Sequence, residues 1–299
     1  MPLSKNSSFI LLFIGLIAQS LPVKSQFEIQ GHRGCRGIFP ENTIPAFLKA
    51  VDLGVTTLEM DVVITSDKRV LVSHDPFMAH EICLNRLGNE IKESEEKTLN
   101  IYQMTAAEAM SFDCGSKFHP RFSSQQKLVA HKPLLSDVIS TVETYILKHN
   151  LPPVFYNIET KCTPSGDGIF HPVPEVFADL LFQVVDSAKI ADRTYIQSFD
   201  VRTLQHLKKF GKKVKLVLLV ENTKGVEQNM EKLGFLPDVY SPYFKLLKKK
   251  DVQELHNKNI KVIPWTVNNL KDMHSLIRKG VDGIITDYPD RLIEIVNRK

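Results

Sequence analysis

Beyond residue 25, short runs of β-branched and aromatic residues alternate with amphipathic segments of helical period along the chain. This alternation is typical of a parallel sheet with helices packed outside it. The predicted strands span residues 27–31, 57–64, 70–74, 154–159, 194–197, 214–220, 238–240, 262–266 and 283–286. The predicted helices include 43–53, 134–148, 174–187, 201–210, 249–257 and 269–278.

The second and third runs account for the one strand that exceeds the eight of a TIM-type (β/α)8 barrel. Only residues 66–69 separate them, whereas a parallel crossover needs about a dozen residues or more. We therefore predict an antiparallel hairpin in which Thr65 faces Val70 and Asp61 faces His74. The predicted fold class is an α/β barrel of the TIM type.

A long stretch at about 76–133 follows the third β run and has little strand or helix period. It is longer than ordinary barrel loops, and we interpret it as an insertion on one barrel face. Cys83 and Cys114 both fall in it, and their pairing is the favoured disulfide. Four buried free thiols are the alternative, and Cys35 and Cys162 leave a second disulfide open.

The first 25 residues have a lysine near the start, an apolar run at 9–18 and small residues before position 26. Such a segment is typical of a cleaved signal peptide, because the run is shorter than the roughly 20 apolar residues of a spanning helix. An uncleaved anchor is the alternative. We expect a secreted or periplasmic mature chain, residues 26–299, that forms one barrel domain with no stable membrane insertion.

The net charge and composition of the chain give only weak evidence about its class of function. The chain of 299 residues is 43% apolar and 24% charged, with a formal net charge of +4. One large domain with a full core is the default at this length. A nucleic-acid partner gains no support from such a balance. The oligomeric state is left open.

Acidic residues two apart in a strand point to the same face, as Glu59 and Asp61 do in the second run. Glu159 and Lys161 repeat this spacing at the end of the fourth run. The carboxyl ends of barrel strands meet at one mouth, so three carboxylates are expected to converge there. Hard oxygen ligands suit one divalent cation, Mg²⁺ or Ca²⁺, and zinc is disfavoured. The alternative is that the carboxylates only face solvent.

His32 and Arg33 follow the first strand, and His74 ends the hairpin. Arginine offers a bidentate fork for phosphate, and Lys161 a point charge. In phosphodiester cleavage one histidine takes a proton from the nucleophile while another donates one to the leaving oxygen. No Gly-rich nucleotide loop or nucleophile elbow is present in the sequence. The pattern therefore favours a metal-dependent phosphodiesterase over a kinase-like enzyme or a serine hydrolase.

A set of motifs, in order from residue 31 to 290, resembles the glycerophosphodiester phosphodiesterase family. The motifs are Gly31-His32-Arg33-Gly34, Pro40-Glu41-Asn42-Thr43, Leu58-Glu59-Met60-Asp61-Val62, Ser73-His74-Asp75, Asn157-Ile158-Glu159-Thr160-Lys161, Gln197-Ser198-Phe199, Pro264-Trp265-Thr266-Val267-Asn268 and Asp282-Gly283-Ile284-Ile285-Thr286-Asp287-Tyr288-Pro289. The resemblance implies a β/α barrel that hydrolyses glycerophosphodiesters to glycerol 3-phosphate and an alcohol with a divalent cation. The stretch after His74 matches the place of the family's insertion.

By position, the resemblance implies roles for individual residues. It makes Glu59, Asp61 and Glu159 the metal ligands, His32 and His74 the acid/base pair, and Arg33 and Lys161 the phosphate contacts. Two weaker expectations come from the residues themselves. Residues 41–43 are interpreted as a helix N-terminus capped by Asn42 or Thr43, and Trp265 as a wall for glycerol or a choline-like head group, with a core position as its alternative.

Two other functions are kept beside this one. A related barrel phospholipase that acts on a lipid phosphodiester would need an exposed apolar rim, and the insertion is not obviously apolar. A non-catalytic binding member of the family would be expected to lack one of the histidines or acids, and the sequence has them all.

Overall fold

The computed structural model of the protein describes residues 26–298. Its strands are β1 Glu28–Gly31, β2 Thr57–Ile64, β3 Val70–Val72, β4 Phe155–Thr160, β5 Thr194–Ser198, β6 Lys215–Val220, β7 Val239–Pro242, β8 Lys261–Val262 and β9 Gly283–Thr286. Eight of them are parallel and follow the order β8-β7-β6-β5-β4-β2-β1-β9, while β3 pairs only with β2. The predicted strands are confirmed, although β3 and β8 are shorter than expected.

Backbone hydrogen bonds between the two ends of this sheet bring it close to a closed ring. The amide of Asp282 donates to the carbonyl of Val262 over 2.9 Å, and that of Ile285 to the carbonyl of Pro264 over 3.0 Å. These bonds place the β8 segment against β9, which itself pairs with β1. The predicted TIM-type (β/α)8 barrel is therefore confirmed.

Helices cover the outside of the barrel. The helices of the described chain are α1 Ile44–Leu53, α2 Ala106–Ala109, α3 Leu135–His149, α4 Pro174–Ser187, α5 Val201–Lys209, α6 Val226–Leu233, α7 Lys249–Asn257, α8 Leu270–Lys279 and α9 Pro289–Asn297, of which the short α2 lies in the inserted segment. The six predicted helices are confirmed to within a residue at each end. At the start of α1, the Thr43 side chain accepts a hydrogen bond from the amide of Ala46, so Thr43 rather than Asn42 is the cap.

Alternate residues of each strand fill the barrel interior and the layer under the helices. One interior layer consists of Tyr195, Val217, Val239, Ile263 and Ile285. A polar contact crosses the barrel nearby, where the Asn157 amide donates to the side chains of Gln30 and Gln197 over 2.8 and 3.0 Å. The larger apolar core lies between strands and helices, which leaves the carboxyl end of the barrel free for polar side chains.

The register of the β2–β3 hairpin differs from the prediction by one residue. Val62 pairs with Val72, and Ile64 with Val70, so the predicted pairs of Thr65 with Val70 and of Asp61 with His74 are wrong. The amide of Thr65 donates to the carbonyl of Arg69 over 3.0 Å, which leaves a turn of residues 66–68. A three-residue hairpin loop of this kind ends in a left-handed residue, here Lys68 with φ 60°.

The inserted segment at about 76–133 packs a small apolar core, separate from the main one, against the β2–β3 hairpin. The core residues are Val63, Leu71, Met78, Cys83, Ile91, Ile101, Ala106, Ala109, Phe112, Cys114 and Leu134. Within it, Cys83 and Cys114 form a disulfide, as favoured from the sequence. Cys35 and Cys162 are buried free thiols, so the second disulfide left open does not form.

The proposed signal peptide lies outside the described residues. Among residues 26–298, no helix has the length and apolar character to cross a membrane.

Candidate active site

The barrel brings the candidate side chains from distant parts of the chain to its carboxyl end. His32 and Arg33 directly follow β1, His74 follows β3, and Lys161 follows β4. Together with Glu59, Glu159 and Trp265 they line a cavity of about 400 Å³. Asp61 lies in the same strand as Glu59 and is 1% exposed. All eight residues singled out in the sequence thus lie at or next to one cavity.

Three buried carboxylates form the floor of the site. Glu59, Asp61 and Glu159 each offer a carboxylate oxygen, and these oxygens lie within 4.8 Å of one another. Burial raises the pKa of Glu59, and the Asp61 carboxylate raises it further. The Asp61 carboxyl is also buried, yet Arg33 and Lys161 hold its pKa well below its usual range. Crowded like charges of this kind fit a divalent cation with oxygen ligands.

Arg33 is held rigidly at the edge of the carboxylate cluster. Its amide donates to Glu59 Oε2 over 2.8 Å and its Nη1 to Glu41 Oε1 over 2.6 Å. Its Nε lies 3.2 Å from Asp61 Oδ2. The backbone of Arg33 is left-handed (φ 50°), and a Cβ on the next residue, Gly34, would come within 2.8 Å of the Ala46 backbone. Gly34 therefore lets the first strand turn this guanidinium into the site.

Lys161 supplies a second cation on the opposite side of Asp61. Its Nζ donates to Glu159 Oε1 over 2.7 Å and lies 3.7 Å from Asp61 Oδ1. Burial by itself lowers the pKa of a lysine, but the Glu159 and Asp61 carboxylates raise that of Lys161. The ammonium group is therefore charged and stands beside the carboxylates, where a phosphate oxygen would meet it.

His32 is fixed by a carboxylate from the last strand end. Its Nδ1 lies 2.6 Å from Asp287 Oδ1, and its Nε2 lies 3.9 Å from Glu59 Oε2. Its amide donates to the carbonyl of Thr286 over 2.9 Å. Burial lowers the pKa of His32 to about 4, with Asp287 acting in the opposite direction. The imidazole is thus oriented with Nε2 toward the acidic cluster.

His74 stands across the cavity with fewer contacts. Its side chain is 32% exposed, and its Nδ1 lies 3.3 Å from Asp75 Oδ1. The one-residue change in hairpin register does not remove it from the site, because the turn after β3 still directs it into the cavity with Glu59 and Glu159. His74 therefore borders the same cavity as His32.

Several side chains around these groups were missed as site residues from the sequence. Glu41 and Asn42 were interpreted as part of a helix start, with a functional role for Glu41 as the alternative, and Glu41 in fact binds Arg33 while the Asn42 amide donates to Asp61 Oδ2 over 2.9 Å. Gln197 donates to Glu59 Oε1 over 2.8 Å. Asp287 also accepts from Arg36 Nε over 2.9 Å. The sequence signal that could have identified these residues was their position at strand ends, beside the motif residues.

Trp265 forms part of an aromatic wall. Its indole nitrogen donates to the carbonyl of Ser241 over 2.8 Å, and its ring meets that of Phe199 edge-on at 5.4 Å between centroids. Both rings line the cavity. The indole is half-buried and packs against the interior layer of the barrel, so it lines the mouth from the edge of the core.

A second group of possible ligands, Cys162, Asp167 and His171, is structural. His171 accepts a hydrogen bond from the amide of Thr163 at Nε2 over 3.0 Å and donates to the carbonyl of Pro172 from Nδ1 over 2.8 Å. Burial keeps the thiol of Cys162 protonated, since it raises the pKa. The Cys162 thiol donates to Asp200 Oδ2 over 3.6 Å and Asp167 pairs with Arg202 at 2.6 Å, so the group shapes the loop after Lys161.

A TIM-type barrel with carboxylates, two histidines and two cations at its carboxyl mouth has the groups that a phosphodiester-cleaving enzyme needs. The sequence model of the glycerophosphoryl diester phosphodiesterase family matches residues 32–291. The chain therefore belongs to this family of phosphoric diester hydrolases.

Relatives of known name and solved structure agree with this assignment. A glycerophosphodiester phosphodiesterase of Caldanaerobacter subterraneus is 28% identical over 271 residues, which cover 89% of this chain and 96% of that one. A Silicibacter pomeroyi structure that carries the glycerophosphoryl diester phosphodiesterase name matches with a TM-score of 0.81 at 27% identity, over 92% of this chain and 94% of the other. An Oleispira antarctica phosphodiesterase, solved with the product sn-glycerol-3-phosphate, matches with a TM-score of 0.71 at 19% identity, over 90% and 96%, and so shares the fold.

Proposed function

We propose that the protein hydrolyses glycerophosphodiesters to glycerol 3-phosphate and an alcohol, with one divalent cation, Ca²⁺ or Mg²⁺. The observation that carries the proposal is the set of three carboxylates, two cations and two histidines around one cavity. The family match and the named relative support this substrate class. The shared fold of the Oleispira enzyme, which binds glycerol 3-phosphate as its product, adds support.

The carboxylates fit the cation. Glu59, Asp61 and Glu159 would hold it, since they converge within 4.8 Å and offer the oxygen ligands that Mg²⁺ and Ca²⁺ prefer. When bound, the cation neutralises charge on the phosphoryl group. Arg33 and Lys161 flank the carboxylates and would bind the remaining phosphate oxygens.

The two histidines move the protons. A free hydroxyl of the glycerol moiety attacks phosphorus, its proton passes to one imidazole, and the bond from phosphorus to the head-group oxygen breaks as the other imidazole protonates that oxygen. Water then opens the cyclic phosphate with the histidine roles reversed, which gives glycerol 3-phosphate. His32 and His74 suit this exchange because they border the same cavity, and Asp287 holds the His32 ring in one orientation.

We also propose that the chain is exported and that residues 1–25 are removed. The disulfide between Cys83 and Cys114 supports an oxidising compartment. The intact mass and N-terminal sequence of the protein recovered outside the cytoplasm test this proposal. A product that begins near residue 26 agrees with it, and an uncleaved chain contradicts it.

The function is tested by an assay of the purified mature chain on a panel of glycerophosphodiesters, with lysophospholipids and diacyl phospholipids included. We expect release of glycerol 3-phosphate from the glycerophosphodiesters, its loss after chelation, and its return with Ca²⁺ or Mg²⁺. Cleavage of lipids alone would favour the barrel phospholipase alternative. Activity that survives complete metal removal would contradict the proposed cation.

A matched pair of variants separates the site from the rest of the fold. Glu159→Gln removes one carboxylate of the cluster, and Glu227→Gln removes an exposed carboxylate on α6. We expect the first variant to need more cation for half-maximal activity and the second to behave as the native chain. Equal cation dependence for both would contradict the assignment of Glu159.

A further inference from the structure

Lys132, at the end of the insertion, is a buried cation that the proposed reaction does not use. It is 4% exposed, and its Nζ donates to Ser73 Oγ over 2.8 Å. In the part of the chain that the structure describes, it forms no ion pair within 4.0 Å. A buried ammonium group is costly when no carboxylate neutralises it directly. Its position therefore calls for an explanation.

Ser73 connects Lys132 to the turn that carries His74. The Ser73 hydroxyl accepts from Lys132 and donates to the carbonyl of Asp75 over 2.6 Å. The Ser73 amide donates to the carbonyl of Asp61 over 2.9 Å. His74 lies between the two residues that these bonds fix. The conformation of its backbone therefore depends on a hydroxyl that Lys132 orients.

The side chain of His74 has little else to hold it. It is 32% exposed, and its only hydrogen-bond partner in the described residues is Asp75, at 3.3 Å. The ring direction is consequently set by the turn. Burial lowers the pKa of Lys132, while the Asp75 and Glu41 carboxylates act in the opposite direction. Lys132 thus contacts the turn through Ser73 and is not among the described residues that line the cavity.

We propose that Lys132 is a positioning residue that orients His74 through Ser73. The proposal rests on the proposed function for its kinetic consequence, although the geometry it describes is independent of the substrate. In this proposal the end of the insertion contributes to the reaction, because Lys132 at that end holds the turn at residues 73–75, where the insertion begins.

Lys132→Met is the primary test, since methionine keeps most of the side-chain length but cannot donate. Lys132 has no ion-pair partner within 4.0 Å among the described residues, so its replacement leaves no buried carboxylate without a direct partner, and we expect the melting temperature to stay or rise. We expect kcat to fall about 10- to 100-fold, as for a misplaced catalytic group, with KM within about twofold of the native value. Lys127→Met, at an exposed lysine of the same insertion, should change neither constant. A native kcat for Lys132→Met would overturn the proposal.

Ser73→Ala provides a second variant that removes the connecting hydroxyl. If Lys132 acts through Ser73, the double variant should lose no more activity than the worse single variant. Losses that multiply would overturn this route of action. If Ser73→Ala fails to fold, the kcat of Lys132→Met still tests the positioning role of Lys132.

A readout without substrate separates this inference from the proposed function. The imidazole NMR signals of His74, identified by their loss in His74→Asn, should shift in Lys132→Met and in Ser73→Ala but not in Lys127→Met. That result supports the positioning role even if no glycerophosphodiester is hydrolysed, in which case only the proposed function fails. Unchanged His74 signals in both variants would overturn the inference while the function stands.

Discussion

The two histidines at the barrel mouth are held by different parts of the molecule. His32 is tied to Asp287 at the end of the last strand, and its side chain is 11% exposed. The His74 side chain is 32% exposed and lies in a turn at the base of the insertion. The barrel itself therefore holds one imidazole, whereas the other lies in a turn that Lys132 of the insertion contacts through Ser73. We expect substitutions in the barrel strands to alter the orientation of His32 and substitutions in the insertion to alter that of His74.

Removal of either imidazole should have the largest effect. We expect His32→Ala and His74→Ala each to lower kcat by about 10²- to 10⁴-fold, the usual contribution of general acid–base catalysis. Circular dichroism should show a native fold in both. His131→Ala, at an exposed histidine of the insertion, is the control. A near-normal rate for either variant would refute the role assigned to that histidine.

Replacement of Asp287, whose carboxylate binds His32, should have the second-largest effect on kcat. In Asp287→Asn the imidazole loses its charged partner at 2.6 Å, and Arg36 loses its own at 2.9 Å. Removal of one partner from a buried pair costs about 3–5 kcal/mol, so we expect a lower free energy of unfolding together with a kcat loss of about 10- to 100-fold.

Urea titration and steady-state kinetics measure these two effects, with Asp186→Asn on the exposed face of α4 as the control. If Asp287→Asn retains native kcat, the view that the last strand positions His32 is wrong.

Removal of the disulfide between Cys83 and Cys114 tests whether the insertion is a separate stability unit that affects His74. Replacement of both Cys83 and Cys114 by serine opens a loop with a separation of 31 residues, for which chain entropy predicts a loss of about 3–4 kcal/mol. Because the insertion has its own apolar core, we expect faster hydrogen exchange at 76–133 than in the barrel strands. Activity should fall several-fold through His74. Equal acceleration throughout the barrel would show that the insertion is not a separate stability unit.

Replacement of Asp75, the carboxylate beside His74, should have the smallest effect on kcat. Asp75 lies 3.3 Å from the ring, and both side chains are 32% exposed, so solvent screens the pair and its contribution is about 0–1 kcal/mol. We expect Asp75→Asn to lower kcat less than about fivefold. A loss as large as that of Asp287→Asn would remove the contrast between the two histidines.

Local periodicity accounts for the part of the site that was predicted correctly. Glu59 and Asp61 share a face because side chains two apart in a strand do so in any strand. The same period identified the strand that ends in Glu159 and Lys161, and the short connection after β2 required a hairpin. Each of these inferences depends on residues that are neighbours in the chain.

Contacts between distant residues were beyond such reasoning. Asp287 meets His32 across 255 residues, and Gln197 meets Glu59 across 138. No local period encodes these pairs, because they form only when the last strand closes against the first and the strand ends gather at one mouth. Glu41 was interpreted as part of a helix start for the same reason, since its partner Arg33 is visible only in the folded loop.

The sequence by itself determined the barrel class, the strand ends that carry charge and the preferred disulfide, because short-range periodicity and connection length constrain them. Only the tertiary structure decided the hairpin register, which depends on whether the turn holds three or four residues. It alone also decided which groups hold each histidine. Ring closure brings Asp287 to His32, and packing of the two ends of the insertion brings Lys132 to Ser73. Those contacts arise from side-chain packing over long chain separations, which a pattern along the chain does not specify.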